Sequence, residues 1–195
     1  MSSKFLPSFF IFLILLLSLF FFLHSDYFTI YSAGIGLMER DTRYQVTTTG
    51  INESVSCSID LENIEASIGK VVYNDGQCQI KISNIIKEND NFKIFFDARG
   101  SYNYYGGTLV TLLSHETDSA DGHIRTKVGE STYEVTHWYS RAQSYYPNGD
   151  VFGYSLFPTQ CYKNETLLIK QQLAKHNNTV VVELLDLKRI SWERL

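Results

Sequence analysis

The sequence predicts a mainly β protein: a single β-sandwich-like extracytoplasmic domain of about nine short strands with one C-terminal helix, preceded by an N-terminal transmembrane helix. Three observations carry this. Residues 5–23 (FLPSFFIFLILLLSLFFFL) are uncharged and almost wholly apolar. From residue 43 onward, segments in which apolar and polar residues alternate recur between turns rich in Gly, Asn and Asp, the mark of strands with one face on a core. One late segment alone, residues 165–176, combines good helix formers with a candidate cap at each end.

The first stretch is long enough to cross a bilayer as a signal-anchor helix from Phe5 to Leu23, since ~20 apolar residues rising ~1.5 Å each match a ~30 Å hydrocarbon core. A removable signal peptide has a shorter apolar region, and Leu23 makes a poor small residue before Ser25. Lys4 precedes the stretch and no Lys or Arg follows it until Arg40, so residues 1–4 are expected to be a cytosolic tail and everything after the helix to face the lumen or outside. The expected localisation is therefore a membrane, crossed once. Residues 24–42, with Tyr27, Phe28, Ile30 and Tyr31, read as a juxtamembrane connector, and residues 43–195 as the domain.

Within the domain, residues 43–49 (RYQVTTT) are β-branched and aromatic and stop at Gly50. In residues 55–61, Val55, Cys57, Ile59 and Leu61 oppose Ser56, Ser58 and Asp60. Residues 71–73 and 77–82 form a hairpin about Asn74, Asp75 and Gly76. Further strands are expected around Phe92, Ile94 and Phe96, over residues 108–113, over 132–139, where bulk on both faces suggests a central strand, over 151–157 and over 179–187. Residues 165–176 (ETLLIKQQLAKH) read as a helix between Asn164 and Asn177, with Ile169 and Leu173 on one face. Lys188 and Arg189 read as a solvated end of an apolar run.

Beyond the first 25 residues, 16 basic side chains stand against 21 acidic ones. Without a Lys/Arg cluster to replace counterions, nucleic acid is excluded as the main partner. In an oxidising compartment a Cys57–Cys78 disulfide is expected, because both residues lie on inward strand faces, with Cys161 left over. Three sequons, at Asn52, Asn164 and Asn177, make the chain a candidate glycoprotein.

His115, Glu116, Asp118, Asp121 and His123 are the densest set of potential metal ligands, but their spacing fits neither the HExxH helix nor an EF-hand loop. No cofactor is implied and no catalytic residue is assigned. The aromatics Trp138, Tyr145 and Tyr146, beside Gly, Asn and Ser, are candidate binding residues for a protein or glycan ligand. The leading expectation is thus a single-pass membrane glycoprotein whose domain serves recognition or assembly. The alternative is a secreted or lumenal hydrolase or metal-dependent enzyme released by signal-peptide cleavage.

Overall fold

The computed structural model describes residues 5–23, 25–88, 91–112, 122–135, 138–142, 149–158 and 163–195. The chain is mainly β: thirteen strands among the described residues form three antiparallel sheets rather than the two-layer, roughly nine-stranded plan that turn spacing suggested. The helices are α1 (Phe5–Leu23), α2 (Ser25–Ala33), α3 (Ile35–Met38) and α4 (Lys163–Lys175).

The five-stranded sheet is built on the long hairpin of β4 (Gln79–Glu88) and β5 (Asn91–Arg99). On it the strands run β10 (Trp138–Ala142), β11 (Gly149–Ser155), β5, β4 and β3 (Val71–Asn74). Alternation points Ile80 and Ile82 of β4, Ile94, Phe96 and Ala98 of β5, and Phe152 and Tyr154 of β11 into one core, all without solvent exposure. Phe96 and Phe152 are direct cross-strand partners, their rings stacked at 5.5 Å, a pairing that contributes beyond the area it buries. The other face of β5 is covered too, which leaves Lys93 and Asp97 buried. Burial of such charges requires partners: Lys93 pairs with Glu88, and Asp97 with Arg99 at 2.7 Å and Lys81 at 3.6 Å.

A four-stranded sheet runs β2 (Val55–Asp60), β12 (Thr179–Leu185), β8 (His123–Val128) and β9 (Ser131–Val135). Its inner face is Val55, Cys57, Ile59, Val180, Val182, Leu184, Ile124 and Val128. Its outer face is an ionic ladder: Lys127 pairs with Glu183, and Arg125 reaches Glu134 at 2.8 Å and Glu183 at 3.4 Å. α4 buries Ile169 and Leu173, as its four-residue spacing predicts. It ends where Asn177 and Asn178 both adopt φ 52° and the Asn178 N–H returns to the Leu173 carbonyl, a left-handed stop.

The third sheet runs β1 (Tyr44–Gly50), β13 (Lys188–Arg194), β7 (Gly106–Thr111) and β6 (Ser101–Asn103). β13 opens with Lys188 and Arg189, expected to be a solvated end, yet it is an inner strand with Ile190 and Trp192 buried. Its charges are compatible with this because Arg189 pairs with Asp75 of the β3–β4 turn. Residues 132–139, expected as one central strand, divide instead: β9 ends at Val135 on the edge of one sheet and β10 begins at Trp138 on the edge of another.

Two expectations from the sequence are not supported by the structure. Among the described residues no single helix is long and apolar enough to cross a membrane. Phe9–Phe22 and Tyr27–Ala33, bent 52° from one another, pass by length and composition only as a pair. Second, Cys57 and Cys78 are not bridged; both are free, buried thiols. Cys57 faces its partner strand opposite Val182 in one sheet, whereas Cys78 sits at the foot of the β3–β4 hairpin with its Sγ 4.0 Å from Thr108 of β7.

β7 approaches β13 closely because Gly106 has no side chain. A Cβ there would lie 2.1 Å from the Trp192 carbonyl oxygen. Gly106→Ala should therefore force these strands apart and lower the urea midpoint by an amount equivalent to about 2 kcal/mol or more; equilibrium unfolding of the full chain in detergent measures it.

Candidate functional site

The connector is not a loose tether. Ile30 of α2 and Ile35 and Met38 of α3 are buried in the domain's core. Gly34, at φ 55°, breaks the helix between them and lets α3 turn beneath the β6–β7 hairpin, where Met38 Sδ would lie 3.1 Å from a Cβ on Gly107. Glycine at both places is what allows the helical segment and the sheet to meet.

Around this joint five tyrosines gather from two parts of the chain. The ring of Tyr27 lies 4.9 Å from Tyr31 and 6.2 Å from Tyr104, and Tyr31 lies 6.4 Å from Tyr102. The Tyr102 hydroxyl donates to the Tyr31 carbonyl at 3.4 Å. From below, the Tyr44 hydroxyl donates to the Tyr104 carbonyl at 3.0 Å, and the Arg194 N–H donates to the Tyr105 carbonyl at 2.8 Å. The Arg194 guanidinium stands 3.9 Å from the centre of the Tyr104 ring, close enough for a cation–π contact. Asn103 Oδ1 accepts from the N–H groups of Tyr105 and Gly106, an Asx turn that fixes the hairpin tip. Tyr105 is thereby held with 75% of its surface exposed.

The result is a rigid aromatic collar where α1 and α2 meet the domain. Phe28 of α2 stacks on Phe21 of α1 at 5.6 Å, so the collar is continuous with the apolar helix. Rings bearing hydroxyls suit the boundary between an apolar phase and water, and also suit recognition. The sequence showed the tyrosines of each segment but not their meeting, since 71 residues separate Tyr31 from Tyr102.

The other expected site residues fare differently. Tyr145 and Tyr146 lie outside the described residues, as do His115, Glu116, Asp118, Asp121 and Cys161; Trp138 begins β10, and its side chain is likewise outside them. His123 Nδ1 is bound to Asp186 at 2.9 Å. Among the described residues no group of three or more His, Cys, Asp or Glu side chains could hold a metal ion. Asn52 and Asn177 are exposed beside strand ends; Asn164 falls in the first turn of α4. A groove of about 650 Å³ lies between α4 and the β4–β5 hairpin, with Leu61, Ile64, Phe92 and Leu173 at its floor and Lys87, Lys170 and Glu62 at its rim.

A second polar cluster joins two sheets. Burial works to raise the Asp75 carboxyl, but the backbone N–H groups of Cys78 and Gln77, at 2.6 and 2.8 Å, the Tyr73 hydroxyl and Arg189 hold it below its ordinary range. Burial pushes the Cys57 thiol up to about 11 and the Cys78 thiol upward as well, the latter aided by the Asp75 charge.

Comparison with known protein families, characterised proteins and solved structures finds no match to this chain.

Because Asp75 is more acidic folded than unfolded, its contribution to stability is complete above the ordinary carboxylate pKa of ~3.9 and is lost as pH falls through the lower folded value. Asp75→Asn should lower the urea midpoint at neutral pH and flatten its decline between about pH 5 and pH 2. A maleimide should leave Cys57 and Cys78 unmodified in the native chain and label both in urea, because the thiolate is the reactive form and the fold suppresses it; mass spectrometry of the labelled peptides counts them.

Proposed function

We propose that this chain is a membrane-anchored glycoprotein whose β-rich domain lies on the lumenal or extracellular side and serves recognition or assembly. The observation that carries the reading is α1: its large apolar side chains from Phe9 to Phe22 are about half to three-quarters exposed. A surface of that size and composition calls for an apolar environment rather than water, and a bilayer supplies one along the whole helix. The bent continuation into α2 extends the apolar length, and the tyrosine collar stands where hydrocarbon would give way to headgroups. Clamped by Met38, Tyr31 and Arg194, the domain would be presented in one orientation. Exposed Asn52 and Asn177 are consistent with glycan attachment on that side. Recognition then falls to exposed rings, Tyr105 among them, with a protein or glycan as ligand.

Alkaline carbonate extraction of the expressed chain, followed by glycosidase treatment, tests this. The expected result is retention in the membrane pellet with a mobility shift that disappears in Asn52→Gln combined with Asn164→Gln and Asn177→Gln. Recovery in the soluble fraction, or the absence of any shift, overturns the anchored or the lumenal half of the reading respectively.

A further inference from the structure

β1 is an unusual edge. Six strands form the edges of the three sheets, and five are short, irregular or guarded. β3 has four residues and a register shift, β6 has three, and β10 is shifted against β11. β9 carries Glu134, bridged by Arg125. β2 is covered by the 3-10 turn over Ile64–Ser67, and Lys70 donates to its Ser58 carbonyl at 3.0 Å. These are the usual devices that stop an edge from pairing with another chain. β1 has none of them. Its seven residues, YQVTTTG, hold no charge and no proline, and its register with β13 runs unbroken from Tyr44↔Arg194 to Gly50↔Lys188.

The bonding pattern shows which groups are open. Arg43 accepts at its carbonyl from Leu195, and the Ile51 N–H donates to Leu187, so the odd-numbered residues exchange hydrogen bonds with β13. By antiparallel geometry the even ones, Val46, Thr48 and Gly50, turn their N–H and C=O groups to the free side, and Tyr44 turns its C=O there while its N–H donates to the Asp41 carbonyl at 3.1 Å; among the described residues no strand pairs with them. Val46 and Thr48 share a sheet face with their partners Trp192 and Ile190, which are buried, yet Val46 is 44% exposed and Thr48 is exposed too. β1 overhangs the core it belongs to.

We infer that β1 is a self-association edge, and that its occupant is β1 of a second copy of this chain, paired antiparallel about a two-fold axis at Thr47. An uncharged strand meets its own copy without like-charge repulsion. Centring on Thr47 overlaps all seven residues. It places Val46 opposite Thr48 as hydrogen-bonded pairs with all their groups open, and Tyr44 opposite Gly50, where the Gly50 N–H can donate to the Tyr44 carbonyl while the Tyr44 N–H stays on Asp41. Thr47 then faces its own symmetry mate in a non-hydrogen-bonded pair, and Gln45 faces Thr49. A two-fold, isologous contact closes on itself and yields a dimer, not a fibre. This gives a form to the assembly role but does not depend on the membrane anchor.

The test uses the full chain in detergent with Cys161→Ser. Thr47→Cys should cross-link to a dimer on mild oxidation, because non-hydrogen-bonded partners stand ~4.5 Å apart at Cα, within disulfide reach. Thr49→Cys, whose partner is Gln45, should stay monomeric. Without engineered cysteines, Thr48→Pro removes one outward N–H and leaves the β13 pairing intact. It should weaken the dimer roughly tenfold or more in sedimentation, with an unchanged circular dichroism spectrum. A chain that is monomeric throughout, a dimer indifferent to Thr48→Pro, or cross-linking at Thr49→Cys but not Thr47→Cys overturns the proposal. Carbonate extraction of the same variants reports separately on the anchor, so the two readings fail independently.

Discussion

The structure depends on one strand finding its place. β13 enters between β1 and β7, about 140 and 80 residues earlier in the chain by the observed register. With it in place, Trp192 and Ile190 complete the core, Arg189 ties the third sheet to the β3–β4 turn, and Arg194 holds both the backbone and the ring of the collar hairpin. β1 has no other strand neighbour among the described residues. Sheet, collar and free edge are thus consequences of the same insertion. Its cost is the loop-closure entropy of a distant pairing, repaid only when the apolar side chains of β13 are covered.

The β4–β5 hairpin is the counterpart. Its strands are neighbours in sequence, its pairing is extensive, and its side chains fill the centre of the largest sheet. Local pairing of this kind can form before distant strands arrive. The buried Lys93 and Asp97 find their partners on the hairpin itself, in Glu88, Lys81 and Arg99.

How much of this the sequence revealed follows from where the alternation was clean. The strand at residues 55–60, the hairpin about Gly76 at φ 86° and the helix over 163–175 were legible because apolar period and turn chemistry agreed. β8 and β13 were not. In HIRTKV the inward positions are Ile124, Thr126 and Val128, so a buried threonine and three basic or imidazole side chains hid a regular strand. The charges are tolerated because Glu134, Glu183 and Asp186 lie beside them in space. In KRISWER the same masking came from Arg189, whose partner Asp75 is more than a hundred residues away. The division of 132–139 between two sheets was invisible for a different reason: alternation says which way a residue faces, not which sheet it joins. The collar was half legible, since each group of tyrosines stood out but only the fold could bring them together.

The two unbridged thiols carry a consequence for the timing of folding. Cys57 is shielded once β12 lies beside β2, and Cys78 once β7 comes against the β3–β4 hairpin. Before those events both sulfurs belong to an open chain, ionise near the ordinary thiol pKa and are available to any oxidant in the lumen that the proposed topology assigns them. In an oxidising compartment folding and oxidation would therefore compete, in a race that strand docking must win to keep both thiols free. A substitution far from either cysteine that delays β12 or β7 would change the winner. It would convert a slow folding step into a covalent error.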